Sequence, residues 1–225
     1  MWWGPAIAVA LGASQLWLVA SHPEPAPDEP DAQHKPAYAS LVRPATSIAA
    51  LLLVATLAVL VGTHWPPHLQ PVGLVWCSAG LVLVGVDALT TWLPIRASLF
   101  TEAALLVAIG LGILRSPGQT STRLAGVVIG ALAAGGLFWL VWWLSRALGF
   151  GDVRLAAMTG ALTGLESFQW WDLALLSGAI AAVVWGLAVM VWRRWRPSPL
   201  GAAFAYGPGL WLGPWLAWGW LALSG

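Results

Sequence analysis

Charge is what this sequence has least of. Asp, Glu, Lys and Arg make up 8% of its 225 residues, against roughly a quarter in soluble globular domains. Together with 59% hydrophobic residues and a mean hydropathy of +0.78, that scarcity excludes a soluble globular fold and places the chain in a bilayer. The formal net charge is +1, which leaves no basic face and excludes nucleic acid as a partner. Cysteine is nearly absent too. The single Cys77 lies in an apolar run, so there is no intramolecular disulfide and no Cys-rich zinc site. It reads as a small buried or lipid-facing side chain. The sequence shows no second soluble domain and no internal repeat.

What the chain does have is long apolar runs and 18 tryptophans. Several of these fall where helices should end, as interfacial anchors do. A spanning helix needs about 20 mostly apolar residues. Eight candidate segments follow, roughly 2–20, 44–63, 72–93, 98–114, 124–147, 153–167, 171–192 and 200–222. The expected fold is all-α, a polytopic membrane protein with about eight transmembrane helices forming a single transmembrane domain over 1–225. The sixth segment is short and punctuated by glycine, so it is expected to span only partly or to tilt little. The first lacks a basic leading region and runs into Pro and acid, so it reads as a helix rather than a signal peptide. One connection is long. Residues 21–43 are rich in Pro and acid, a composition that buries little and reads as a flexible cytoplasmic loop.

With eight spans, alternate loops share a side. One side collects Lys35, Arg43, Arg96, Arg146, Arg154, Arg193, Arg194 and Arg196; the other collects Arg115 and Arg123. The basic-rich side should face the cytoplasm.

The nine acids then sort by place. Glu24, Asp28, Glu29 and Asp31 lie in the long loop, and Glu166 and Asp172 flank an outer turn. Asp87, Glu102 and Asp152 lie in or against apolar segments, where a charge costs at least about 2.5–3.5 kcal/mol and usually serves a function. Asp87 and Asp152 fall at similar depth near the inner face. If folding brings them together, one carboxyl holds a proton while the other pulls a proton from water. Gly149 and Gly151 would give the backbone before Asp152 access to unusual dihedrals and close approach. Plainer readings stand beside these. Asp152 is also an ordinary N-cap aspartate, and Asp87 a packing group bonded to Thr90 or Thr91. Glu102 reads as snorkelling to the interface, and Arg154 as an inner anchor close enough to tune Asp152. The histidines His22, His34, His64 and His68 fall in loops or at segment ends. His64 and His68 are four apart, but Pro66 and Pro67 between them argue against a helix, and no third ligand is near, so no metal is expected.

These residues carry a resemblance. "GFGDVRLAAMTGALTG", from Gly149, resembles the Gly-x-Gly-Asp-x-Lys-Leu motif of the prepilin peptidases, the type IV leader peptidases, with Arg154 where lysine is common. "VDALTTWLP" is similar to the family's first aspartate motif, with Pro94 seven positions after Asp87. "YGPGLWLGPWLA", from Tyr206, is similar to its C-terminal Phe-Gly-Pro segment. The resemblance covers roughly residues 38–222. It implies a multi-pass aspartic endopeptidase of the bacterial cytoplasmic membrane, serving type IV pili or protein secretion. Such an enzyme cuts the short basic leader of prepilin-like proteins on the cytoplasmic side and uses no cofactor. Asp87 and Asp152 carry over as the catalytic pair, with Gly149, Gly151, Arg154 and Pro94 as supporting motif positions. The chain departs from the family in three places. Loop 21–43 lacks the paired Cys-x-x-Cys motifs, the Asn-containing motif before that loop is not evident, and Ile95 replaces a polar residue after Pro94. Methylation of the new N-terminus is therefore unsupported. The alternative is a transporter or channel using Asp87 and Asp152 as a proton or cation relay. A family member that has lost its chemistry ranks last.

Overall fold

The computed structural model describes residues 3–25, 35–145, 148–196 and 204–224. Arg146, Asp28, Glu29, Asp31 and His34 lie outside the described residues. Among those described the protein is all helix: α1 Trp3–Ala20, α2 Tyr38–Leu41, α3 Pro44–His64, α4 Gln70–Val75, a π-helical turn Trp76–Gly80, α5 Leu81–Thr90, α6 Ile95–Leu114, α7 Thr120–Ser145, α8 Phe150–Gly164, α9 Phe168–Trp195 and α10 Gly207–Ser224. The punctuation is legible residue by residue. Pro44 opens α3, where its missing N–H costs nothing. Pro66 and Pro67 separate α3 from α4. The Ser167 hydroxyl caps α9 by accepting from the Trp170 N–H at 3.1 Å.

Among the described residues six stretches, where about eight were expected, are long and apolar enough to cross a membrane: Trp3–Ala20, Pro44–His64, Gln70–Thr90, Ile95–Leu114, Thr120–Ser145 and Phe168–Trp195. The other two expected spans are helical but weaker. α8 has 15 residues, about 22 Å of helix at 1.5 Å per residue, against a hydrocarbon core of about 30 Å. α10 dilutes its leucines with glycine, tryptophan and an internal Pro214. The architecture is that of a multi-pass membrane protein.

The stretch Gln70–Thr90 is the centre. Within it 72% of the residues are buried, against 17–39% for the other five. It runs through the π-turn, all five residues of which are buried. There the Trp76 indole donates to the Trp211 carbonyl at 3.0 Å and the Trp211 indole donates back to the Trp76 carbonyl at 2.8 Å. Two buried indole donors are thus satisfied reciprocally, which locks α10 to the central rod. Trp65 sits 5.1–5.5 Å from the rings of Trp170, Trp215 and Trp218. Several tryptophans therefore build the core rather than anchoring interfaces, although Trp3 and Trp195 are well exposed.

Two antiparallel hairpins pack through small residues, as membrane helices do in the absence of a hydrophobic drive between them. In the α7–α8 hairpin, Gly130 meets the Gly160 carbonyl and Gly160 meets the Gly130 carbonyl so closely that a Cβ at either would overlap the backbone opposite. In the α9–α10 hairpin, Gly213 meets the Ala174 carbonyl in the same way. The expected result for Gly160→Leu is a loss near the upper end of the roughly 1–3 kcal/mol typical of overpacking, because backbone rather than a side chain blocks the new atoms. Gly136→Leu, which meets nothing within 4 Å, should melt like wild type in the same detergent. Thermal unfolding of the two variants checks this.

The bundle has two distinct ends. At one, Arg115 donates to the Pro67 carbonyl at 3.2 Å. There Arg123 reaches both Glu166 at 3.0 Å and the Leu165 carbonyl at 2.9 Å, and His68 bonds Glu166 at 2.6 Å. His64 turns instead to Thr63 and the Leu60 carbonyl. At the other end lie His22, Lys35, Arg96, Glu102 and Arg154. Burial first, then the charge of Arg96, holds the His22 imidazole below its usual pKa. Within the 21–43 segment, Lys35 is buried. It pairs with Glu24 and lies 3.7 Å over the Tyr38 ring, while Glu24 also accepts from the Tyr38 N–H at 2.7 Å.

Candidate active site

Asp87 occupies the last turn of α5 and is 3% exposed. The helix ends four residues later because Thr91 turns left-handed, φ 58° and ψ 18°, with its N–H on the Asp87 carbonyl at 2.7 Å. A β-branched residue is strained in that conformation. Thr91→Gly should relieve it and raise the unfolding free energy by roughly 1 kcal/mol, read as a higher melting temperature. Thr91→Ala, which keeps its Cβ, should not. The Asp87 side chain does not bond Thr90 or Thr91. The Thr90 hydroxyl donates to the Val86 and Trp92 carbonyls and the Thr91 hydroxyl to the Thr90 carbonyl. Asp87 Oδ2 accepts instead from the N–H of Gly207 at 3.0 Å, the first residue of α10. No side chain fits at 207, since a Cβ there would overlap the carboxylate.

Asp152 is the third residue of α8 and is 8% exposed. It is not the N-cap itself; Gly149 is. The Gly149 N–H donates to Asp152 Oδ2 at 3.0 Å, and the Asp152 N–H donates to the Gly149 carbonyl at 3.0 Å. The carboxylate also lies at the positive end of the helix dipole. The expectation of unusual dihedrals before Asp152 fails, because Gly149 is extended at φ −73° and ψ 151°. Gly151 matters through space. A Cβ there would come within 2.5 Å of Leu93 Cδ1, so its bare backbone admits the turn that follows Asp87. Pro94 ends that turn as the N-cap of α6.

The two aspartates are thus drawn to one junction. Leu93 bridges the α5–α6 turn to the start of α8, and α10 packs against both α5 and α8. Asp87 is bound by the first residue of α10 and Asp152 lies in the first turn of α8, so both carboxylates sit where α5, α8 and α10 come together. Two buried carboxylates with one backbone N–H each, in an apolar setting, cannot both ionise cheaply. Such a pair can hold one proton between them and polarise a water.

Glu102 and Arg154 depart from their expected roles. Arg154 neither anchors freely nor pairs with Asp152; its Nε and a terminal nitrogen reach Glu102 Oε1 at 2.8 and 2.7 Å. Glu102 is half-buried in that pair rather than reaching for the interface. Sequence reasoning missed Gly207 as the donor to Asp87, although it sits in the quoted "YGPGLWLGP" stretch, where a glycine before a proline at a helix start is a usable signal.

No family model matches the chain, and no solved structure matches it. Curated proteins do. It is similar to the "Prepilin leader peptidase/N-methyltransferase" of Dickeya chrysanthemi, 31% identical over 173 residues that cover 74% of this chain and 53% of that protein. A protein of the same name from Pectobacterium carotovorum is 29% identical over 63% of this chain and 52% of its own. One from Klebsiella pneumoniae is 34% identical over 42% and 41%. The chain spans about half the length of the curated relatives it matches. These similarities, joined to the three motifs that converge on this junction, support the prepilin peptidase family for this chain.

Proposed function

We propose that this chain is a membrane aspartic endopeptidase that removes the short basic leader of type IV prepilin-like proteins at the cytoplasmic face of the bacterial plasma membrane. The observation that carries the reading is that Asp87 and Asp152 are both buried at the junction of α5, α8 and α10, at the end of the bundle that also gathers Lys35, Arg96 and Arg154. By the distribution of basic residues this end faces the cytoplasm, where a basic leader would remain while the apolar segment behind it stays in the bilayer.

The chemistry follows from what two close carboxyls do. The ionised one takes a proton from a water molecule as the oxygen attacks the scissile carbonyl. The protonated one donates to the carbonyl oxygen as it gains charge. Collapse of the tetrahedral species returns the C=O, breaks the C–N bond and delivers a proton to the leaving amine. One water is consumed, and the pair is left sharing one proton again. The Gly149 and Gly207 N–H groups fix the carboxylates' orientation. The proposal stops at cleavage. The relatives' name includes methyltransfer, but this chain matches only about half of their length and lacks the paired cysteines in its 21–43 loop. The relay reading draws no support from the relatives, which are named as peptidases.

The test is a cleavage assay in membranes. Co-expressed prepilin-like substrate should shift in size by the mass of its leader, with a new N-terminus after the leader by sequencing. An inserted, folded chain that leaves a panel of such substrates intact would overturn the reading.

A further inference from the structure

We infer that Glu102, which lies outside every motif of the sequence, is a positioning residue for Asp152, acting through its ion pair with Arg154. This rests on the reading of Asp152 as one of the two reacting carboxyls. The argument is geometric. Asp152 and Arg154 are two positions apart on α8, so they project about 200° apart around its axis and do not face each other. The Asp152 carboxylate accepts from Gly149 at the start of its own helix, which packs on α10, while Arg154 reaches across to Glu102 of α6. The start of α8 is held by its packing on α7 and by Leu93 of the α5–α6 turn against Gly151, and the pair with Glu102 adds a hold from α6 against the rotation that would swing Asp152 away from Asp87. The Arg154 guanidinium puts two donors on one oxygen of Glu102, at 2.7 and 2.8 Å. That joins residues 52 apart in sequence and sets the angle of the α8 first turn against α6. The pair is largely shielded, with side-chain exposures of 20% and 28%. There a lone charge left by removing one partner is costly. The pair also occupies the cation nearest Asp152 in sequence, so Arg154 is not free to neutralise that carboxylate.

Steady-state cleavage of a prepilin-like substrate by the full chain in proteoliposomes tests this. Glu102→Gln should lower kcat by about 10- to 100-fold, the range for a misplaced reacting group, with KM nearly unchanged. Arg154→Gln should do the same. The swap, Glu102→Arg with Arg154→Glu, should restore most of the lost kcat, as coupled neighbours do. Wild-type kcat in Glu102→Gln overturns the inference, as does a swap that melts like wild type without recovering activity. Should Glu102→Gln fold poorly, Glu102→Asp decides, since it keeps the charge on a shorter stem. A fall in kcat at unchanged melting temperature supports the clamp, and an unchanged kcat overturns it. Asp152→Asn separates the two levels. If that variant cuts normally, the catalytic reading fails first; if it is dead while Glu102→Gln is fully active, only the clamp fails.

Discussion

Asp152→Asn and Asp87→Asn are each expected to leave less than about a thousandth of wild-type kcat/KM, within the 10²–10⁴-fold range that a positioned acid or base contributes. The substitution is mild in every other respect. Asparagine has the same shape and keeps an oxygen that can accept the Gly149 or Gly207 N–H, so insertion and melting should hardly change. What it cannot do is exchange a proton. The two residues should also fail as a unit: the double variant is expected to be no slower than either single one, because neither carboxyl can run the reaction without the other. The rate of the wild type should trace a bell against pH, since it needs one carboxyl ionised and one protonated at once. Cleavage at near wild-type rate in either single variant would sink the paired-carboxylate mechanism even if prepilins are cut.

A methyl group at position 207 should do nearly as much harm from the other side. Gly207→Ala keeps the N–H that Asp87 accepts, yet its new carbon would overlap Asp87 Oδ2, so the carboxylate or the start of α10 must move. Displacement of a reacting group by about 1 Å can cost about 100-fold, and that is the expected fall in kcat. Gly219→Ala, later on the same helix with nothing within 4 Å, should be indistinguishable from wild type. If Gly207→Ala cuts at the wild-type rate, Asp87 does not work from the orientation described.

Much of the architecture was legible because lipid imposes a simple rule on sequence. Apolar runs of sufficient length became helices, and the prolines at 44, 66, 67 and 94 marked their limits. Asp87 and Asp152 stood out for the same reason, as charges where charge is expensive. The rest depended on which helix faces which. Of the eight expected spans six stand among the described residues: the shortness of α8 was already legible, while the Gly, Pro and Trp that weaken α10 were counted as part of an apolar run. Glu102 and Arg154 each looked like an interfacial charge; only their meeting across α6 and α8 reveals a pair. Of the two reasons given for the glycines, unusual torsion fails, since Gly149 is extended, while the bare backbone of Gly151 admits the close approach of Leu93. The π-turn at Trp76–Gly80 has no periodicity signal, because one extra residue per turn over five positions is lost in a uniformly apolar segment.

The bond from Gly207 to Asp87 joins residues 120 apart, and it sets a schedule for biogenesis. Asp87 is synthesised early, but its partner N–H emerges roughly 6–24 s later at about 5–20 residues per second. Until then the nascent chain holds a carboxylate whose final neighbour has not left the ribosome. The junction closes only when the α9–α10 hairpin inserts and the indoles of Trp76 and Trp211 exchange their bonds. A chain that stops short of residue 207 therefore carries both aspartates without the N–H that Asp87 accepts, and its junction is unfinished.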